Sequence, residues 1–147
     1  MGKTGQIEVL MVEDDPGDVE LTREGFRSEG AAVSLKAMPD GVQALRYLRR
    51  EGQYADAERP DIILLDLNLP RMDGREFLKE IKSDAVLCCI PVVVFTTSDA
   101  DSDIAKCYEL GANCYMTKPL GYNAFVESIS ALNEFWFTLA KLPPRKD

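Results

Sequence analysis

Acidic, hydroxyl and amine side chains stand at the ends of four short apolar runs of the sequence. In chain order, these side chains are Glu13 with Asp14, Asp66, Thr96 and Lys118. Two carboxylates about 4 Å apart repel by roughly 4 kcal/mol at an effective dielectric constant near 20, so a cluster of acids needs a bound cation or a raised pKa. Oxygen ligands without histidine or thiolate favour Mg²⁺. An aspartate beside Mg²⁺, a hydroxyl and an ammonium group suits phosphoryl transfer, with the aspartate as nucleophile.

The apolar runs predict the elements that place these side chains. Short continuous apolar runs are typical of strands buried on both faces of a parallel sheet. We predict strands near 7–12, 33–38, 61–66, 91–96 and 113–117, alternating with helices near 16–29, 41–51, 74–83, 100–110 and 121–140. This alternation indicates βαβ units. The ends of such strands meet at one edge of the sheet, where open α/β sheets bind ligands, so the side chains are expected to converge there.

The composition narrows the classes of function. The chain has 147 residues and a net charge of −8, which fits one domain and argues against nucleic acid as a direct partner. We expect a single domain over 1–147, with a tail at 1–6 and a helical extension and tail at 133–147. The sequence has no apolar segment long enough to span a membrane and no secretory signal, so a cytoplasmic location is expected. Because the chain contains no histidine, it cannot use a Ser-His-Asp or Cys-His nucleophile or carry a phosphohistidine.

Four motifs resemble those of the receiver domains of two-component response regulators. The motifs are Val12-Glu13-Asp14-Asp15, Leu65-Asp66-Leu67-Asn68-Leu69-Pro70 with Met72-Asp73-Gly74, Phe95-Thr96-Thr97-Ser98, and Lys118-Pro119. The resemblance covers nearly the whole chain. It implies an α/β fold of the flavodoxin-like (βα)5 type, a doubly wound parallel sheet with strand order 2-1-3-4-5. An extended C-terminal helix is expected after this unit.

The resemblance also implies a metal site and a phosphorylation site. Asp66 would accept a phosphoryl group from a sensor histidine kinase in a Mg²⁺-dependent reaction. Asp14 and Asp66 would bind Mg²⁺ directly, together with the backbone carbonyl of Asn68, and Glu13 would hold a metal-bound water. On this reading the protein is a phospho-accepting signalling protein that catalyses only its own phosphorylation and dephosphorylation. Output would pass through a changed partner or dimer surface, or phosphate would be relayed to a histidine phosphotransfer protein.

The remaining motif residues are expected to sense the phosphoryl group. By resemblance, Thr96 and Lys118 bind it, and the peptide bond from Lys118 to Pro119 is cis. Thr97 replaces a smaller residue beside the site and is expected to slow the access of water or phosphodonor. Receivers commonly carry an aromatic residue early in strand five that swings as the threonine moves. We place Cys114 at that position, with Tyr115 next, so the usual rotamer switch is not expected.

A narrower resemblance connects the chain to the small stand-alone regulators paired with bacterial and cyanobacterial phytochromes. It is carried by Gln53-Tyr54, Arg59-Pro60, Gly74-Arg75-Glu76, Asn113-Cys114-Tyr115, and Phe135-Trp136 followed by Leu142-Pro143. It implies a phytochrome-type kinase as phosphodonor and a homodimer formed through the C-terminal part.

The aromatic residues of the last predicted helix favour an interface. One apolar stripe at helical spacing consists of Phe125, Ile129, Leu132, Trp136 and Leu139. Phe135 and Phe137 fall outside that stripe, so the core has no obvious place for them. We therefore predict a dimer interface that includes Phe135, Trp136 and Phe137.

Two other functions use related residues. A haloacid-dehalogenase-type phosphatase also has a strand-end aspartate, a lysine and Mg²⁺, but it needs a second aspartate two residues after the nucleophile as acid and base. The residue there is Asn68, whose amide cannot transfer that proton. A pseudo-receiver would be a pure binding module, and it usually lacks part of the acid, threonine and lysine set that this chain retains.

Overall fold

The fold is built on one parallel sheet of five strands. The structure is a computed structural model that describes residues 6–145, so residues 1–5 and 146–147 of the two expected tails lie outside this range. The strands are β1 (Ile7–Val12), β2 (Val33–Met38), β3 (Ile62–Leu65), β4 (Val92–Thr96) and β5 (Cys114–Thr117). They lie in the order β2-β1-β3-β4-β5, which confirms the expected topology.

Five α-helices connect and follow these strands. They are α1 (Pro16–Ser28), α2 (Gly41–Leu48), α3 (Gly74–Lys82), α4 (Asp101–Glu109) and α5 (Tyr122–Glu134). Short 3-10 helices lie at Gly52–Tyr54 and Leu87–Cys89. Asp15, Asp40 and Asp73 precede the first three helices, and each accepts a hydrogen bond from a backbone N–H of the first turn at 2.8 Å. These caps begin the helices at the same sheet edge as the predicted site.

The two faces of the sheet bury separate cores. One core packs side chains of α2, α3 and α4 against alternate strand residues such as Leu10 and Val94. The other packs α1 and α5 against the intervening residues, such as Val9 and Phe95. Burial on both faces explains why the strands appear as continuous apolar runs rather than as alternating patterns.

The predicted second helix is shorter than expected. It ends at Leu48 because Arg50 adopts a left-handed backbone conformation, with φ at 56°. The following polar loop contains the 3-10 turn Gly52–Tyr54, in which the Tyr54 hydroxyl donates to Gln43 at 3.2 Å.

Among the helices of residues 6–145, none has the length and apolar character that a membrane span requires.

The prediction for the last helix is wrong in its final turn. The α-helix stops at Glu134, and Phe135–Leu139 forms a π-turn in which Ala140 N–H donates to the Phe135 carbonyl at 2.7 Å. The wider turn rotates Phe137 onto Phe26 of α1, with ring centroids 5.5 Å apart, so Phe137 does find a place at the core. Leu139 leaves the predicted stripe and is 68% exposed, while Phe135 is 53% exposed.

Candidate functional site

Three carboxylates meet where β1 and β3 end. Val12 pairs with Leu65 in the parallel ladder, so Glu13 and Asp66 leave the sheet side by side. Glu13, Asp14 and Asp66 each offer one oxygen such that the three atoms lie within 4.8 Å of one another. Glu13 and Asp66 are buried, whereas Asp14 is exposed. The predicted convergence of these acids is therefore present in the structure.

Lys118 makes hydrogen bonds to this acid cluster from the end of the edge strand β5. It follows β5, and its Nζ donates to Glu13 Oε1 at 2.5 Å, to Asp18 Oδ2 at 2.8 Å and to Asp66 Oδ2 at 3.2 Å. An ammonium group has three donors, so all three are in use. The lysine side chain is only 5% exposed. It is thus held as a charged group against the acid cluster.

Asp18 also belongs to this site, although it was not among the predicted site residues. Asp18 lies in the first turn of α1, four residues after Asp14, and its carboxylate is the second nearest acceptor of Lys118. Its position in the first turn of a helix that begins at the carboxyl edge of the sheet is the sequence feature that could have indicated this role. The structure adds that the side chain turns toward Lys118 rather than toward solvent.

The backbone of the β3–α3 loop holds Asp66 in place. Leu67 N–H donates to Asp66 Oδ1 at 2.7 Å, which leaves Oδ2 facing Lys118. Gly74 packs so closely that a Cβ atom there would lie 2.3 Å from the Asp66 carbonyl oxygen. Only glycine fits such an approach of two backbone segments. Asn68 is exposed in the same loop, two residues beyond Asp66.

Thr96 brings an unpaired hydroxyl to the end of β4. The residue is fully buried, and within residues 6–145 its Oγ1 has no hydrogen-bond partner. The Thr96 carbonyl accepts from Lys118 N–H at 2.7 Å, which joins the ends of β4 and β5. A buried hydroxyl without a partner is costly unless a ligand completes it. Thr97 is exposed immediately after it.

Burial and charge act in opposite directions on the two central groups. Burial raises the pKa of Glu13 to about 7, although the hydrogen bond and the charge of Lys118 oppose this shift. Burial of Lys118 lowers its pKa, but hydrogen bonds to Asp18 and Glu13 more than offset that effect and leave the pKa raised. Lys118 therefore stays cationic, and the acid cluster has a proton affinity that a metal cation would lower.

The structure corrects two expectations about β5. Cys114 packs into the α1–α5 core, on the face away from α4, so it does not occupy the place of a switching aromatic. Tyr115 lies on the opposite face, because side chains alternate along a strand, and its hydroxyl donates to the Ser98 carbonyl at 2.9 Å. Tyr115 thus contacts the loop that follows Thr96. Within residues 6–145 no peptide bond is cis, so the bond to Pro119 is trans, the isomer that proline peptides favour by about 0.5–1 kcal/mol.

The donor set fits a hard divalent cation. It consists of carboxylate oxygens, and the excess negative charge at buried Glu13 and Asp66 is only partly balanced by Lys118. Mg²⁺ takes one or two carboxylates and retains several waters, which suits a cluster with one exposed member. The exposed Asp14 leaves one side of the cluster open to such waters.

Comparison with known proteins places this site in a family. Residues 9–130 match the response regulator receiver domain. The chain is 40% identical over 135 residues to the response regulator Rcp1 of a Synechocystis species, covering 92% of both chains. It is similar to the crystal structure of the phosphorylated cyanobacterial phytochrome response regulator RcpA, with 44% identity, a TM-score of 0.91 and coverage of 95% of this chain and 99% of that one.

The Mn²⁺-bound form of Rcp1 is also similar, with 39% identity, a TM-score of 0.89 and coverage of 94% of this chain and 99% of that one. The fold and the acid cluster agree with these matches. The chain therefore belongs to the family of response regulator receiver domains, signalling proteins that bind Mg²⁺ at an acidic pocket and receive a phosphoryl group from a histidine kinase.

Proposed function

We propose that Asp66 is the residue that accepts the phosphoryl group and that Lys118 and Thr96 bind it there. The observation that carries this proposal is the contact of Lys118 Nζ with Asp66 Oδ2 at 3.2 Å, across 52 residues of sequence. The unpaired hydroxyl of buried Thr96, at the end of the neighbouring strand, supports it. Together these groups supply an oxygen nucleophile, a cation and a hydrogen-bond donor at one sheet edge.

The same site would hold Mg²⁺ through the residues that the resemblance implies. Asp14 and Asp66 would bind the ion directly, with the backbone carbonyl of Asn68, and Glu13 would bind it through a water. The mutual approach of the acidic oxygens within 4.8 Å supports the carboxylate part of this set. When bound, Mg²⁺ neutralises negative charge on the phosphoryl oxygens.

The transfer needs a phosphohistidine on another protein, because this chain has no histidine. An Asp66 carboxylate oxygen attacks the phosphorus, a P–O bond forms, the P–N bond breaks, and the imidazole of the donor leaves. Lys118 would exchange one of its present carboxylate acceptors for a phosphoryl oxygen, and Thr96 would donate its free hydroxyl to another. Hydrolysis later reverses the modification: water attacks the phosphorus, the P–O bond to Asp66 breaks, and inorganic phosphate leaves the restored carboxylate. Exposed Thr97 would limit the approach of that water. The protein would therefore catalyse only its own phosphorylation and dephosphorylation.

A phytochrome-type histidine kinase is the proposed phosphodonor, acting in the cytoplasm where ATP is available. The similarity to Rcp1 and RcpA supports this donor. Rates of transfer from several autophosphorylated kinases would test it, and a phytochrome-type kinase should transfer fastest. Equal transfer from unrelated kinases would contradict the assignment. Adding a histidine phosphotransfer protein to the labelled chain would test whether phosphate is relayed further.

Labelling separates this function from its two rivals. Acetyl phosphate with Mg²⁺ should label wild type with one phosphoryl group and leave Asp66→Asn unlabelled. A pseudo-receiver would not be labelled at all. A haloacid-dehalogenase-type phosphatase would turn over small phosphate esters, which this chain should not do, because Asn68 cannot replace the missing acid. Wild-type labelling of Asp66→Asn would end the proposal.

We also propose a homodimer that covers the C-terminal aromatic surface. Phe135 is 53% and Leu139 is 68% exposed, and they lie four residues apart in the π-turn. Trp136 is half-buried beside Phe135, with ring centroids 5.3 Å apart. Burial of apolar surface gains about 25 cal/mol per Å², so a second copy is a simple cover for this surface. Phe137 contributes mainly to the core, through Phe26.

Sedimentation of the full chain tests the dimer. Wild type at about 100 µM should contain dimer, because even a dissociation constant near 1 mM leaves a visible fraction. Phe135→Asp with Leu139→Asp should be monomeric. Tyr108→Asp is the control, since Tyr108 is 50% exposed on α4 and lies outside the proposed surface. A monomeric wild type, with and without beryllofluoride and Mg²⁺, would refute the dimer.

A further inference from the structure

Arg75 joins the first turns of two helices that flank the candidate site. Its backbone belongs to α3, and its Nη2 donates to Asp103 Oδ1 of α4 at 2.7 Å. Its Nη1 donates to both carboxylate oxygens of Asp73, at 3.1 and 2.9 Å. The side chains of Arg75 and Asp103 are 29% and 25% exposed, so water only partly screens the pair. Short, charge-assisted bonds of the guanidinium are among the stronger hydrogen bonds in proteins.

The α3 end of this link is fixed to the Asp66 segment. Gly74, directly before Arg75, donates its N–H to the Leu67 carbonyl at 2.9 Å. A Cβ on Gly74 would lie 2.3 Å from the Asp66 carbonyl oxygen and 2.7 Å from Leu67 Cα. The backbone that carries Arg75 is therefore in contact with the peptide of the proposed phosphoacceptor, and it has no room to shift independently.

The α4 end of the link is fixed to the loop that follows Thr96. Ser98 hydroxyl donates to Asp103 Oδ2 at 2.6 Å, so the two oxygens of Asp103 are divided between Ser98 and Arg75. The Ser98 carbonyl in turn accepts from Tyr115 hydroxyl at 2.9 Å. The hydrogen bond from Ser98, followed by that from Arg75, lowers the pKa of Asp103 and keeps the carboxylate charged. Asp103 is thus held between the Thr96 loop and Arg75.

We infer that Arg75 is a positioning residue that couples phosphorylation of Asp66 to the position of α4. The inference rests on the proposed function of Asp66. When Thr96 moves toward a phosphoryl group, the loop carrying Ser98 moves with it and shifts Asp103. Arg75 ties the same carboxylate to the Asp66 segment, so the first turn of α4 must follow the site as a unit. Without the guanidinium, Asp103 keeps only its bond from Ser98, and the first turn of α4 loses its connection to the Asp66 segment.

Amide hydrogen exchange with beryllofluoride and Mg²⁺ tests this coupling, because the pair mimics the phosphoryl group without turnover. In wild type, the mimic should change the exchange rates of 101–109. In Arg75→Ala that change should shrink by roughly 2- to 30-fold, the range expected for one coupling contact. Amide NMR shifts of Thr96 and Lys118 should still respond, because those residues bind the mimic directly. Arg75→Lys keeps the charge without the planar fork and should be intermediate.

Two further variants guard against a merely structural effect. Asp103→Asn retains the shape of the partner and should reproduce the loss even if Arg75→Ala folds poorly. Arg49→Ala is the matched control, because Arg49 also pairs with a carboxylate of α3, Glu80 at 3.2 Å, but from the end of α2, and it should respond like wild type. A full α4 response in Arg75→Ala, or a wild type in which Thr96 responds and α4 does not, would overturn the inference and leave the phosphoacceptor proposal intact. No response anywhere in wild type would contradict the proposed function itself.

Discussion

Replacing Gly74 by alanine should disturb both stability and phosphorylation, because the added methyl group meets backbone. The new Cβ would lie 2.3 Å from the Asp66 carbonyl oxygen and 2.7 Å from Leu67 Cα, distances that no side-chain rotation can relieve. Overpacking of this kind typically costs about 1–3 kcal/mol. For a chain of 147 residues, each kcal/mol lowers Tm by roughly 2–4 °C, so the loss in Tm should be about 2–12 °C.

Urea unfolding followed by the fluorescence of the single tryptophan, Trp136, measures the stability, and acetyl phosphate labelling measures the site. The labelling rate should fall, because the segment carrying Asp66 must move to accept the methyl group. Gly17→Ala is the matched control. Gly17 also lies in a first turn capped by aspartate, but its Cβ would meet a single side-chain atom, Asp15 Oδ1 at 3.2 Å, and no backbone atom within 4 Å. That variant should stay within about 1 kcal/mol of wild type, because the helical preference of alanine offsets this contact, and its labelling should be unchanged. A Gly74→Ala protein with unchanged midpoint and labelling would refute the close-packing argument.

Four further outcomes are expected. Mg²⁺ affinity should rise between about pH 6 and pH 8, with proton release on binding, because burial raises the pKa of Glu13 to about 7 and the metal site needs the Glu13 carboxylate. Calorimetry in two buffers of different ionisation enthalpy measures the proton release, and Glu13→Gln should abolish this pH dependence. Lys118→Ala should still be labelled by acetyl phosphate but should show little phosphorylation-induced change in amide shifts; full shifts would remove its coupling role. Phe137→Ala should lower the free energy of unfolding by about 2 kcal/mol and Phe135→Ala by less than about 1 kcal/mol, because of these two residues only Phe137 packs on the core. Equal losses of stability in urea titrations would contradict the π-turn geometry. Arg145→Ala should speed amide exchange at the start of β1, since its Nη2 donates to the Gln6 carbonyl at 2.9 Å; unchanged exchange there would show that the tail contact contributes little.

The sheet and the acid cluster were predictable because their signals are local. A strand buried on both faces must be a continuous apolar run, and parallel strands must deliver their last residues to one edge. Glu13, Asp66 and Lys118 follow such runs directly, so the sequence alone predicts their convergence.

Features that depend on tertiary geometry were not predictable in the same way. The role of Asp18 depends on which direction a first-turn side chain takes, and the placement of Phe137 depends on an i to i+5 hydrogen bond that no residue type demands. The prediction that Cys114 occupies the position of the switching aromatic was wrong for a different reason. Side chains alternate along a strand, so an error of one residue in position moves the side chain to the other face, and only the packing of β5 shows that Tyr115 faces the Thr96 loop.

The most direct test of the account is to locate the phosphoryl group itself. An aspartyl phosphate is an acyl phosphate, which borohydride reduces to homoserine, so peptide mass spectrometry after labelling with acetyl phosphate and Mg²⁺ identifies the modified position. Homoserine is expected at position 66 alone, and none is expected in Asp66→Asn. Homoserine at Asp14 or Asp15, or unmodified Asp66 in a protein that has taken up a phosphoryl group, would contradict it.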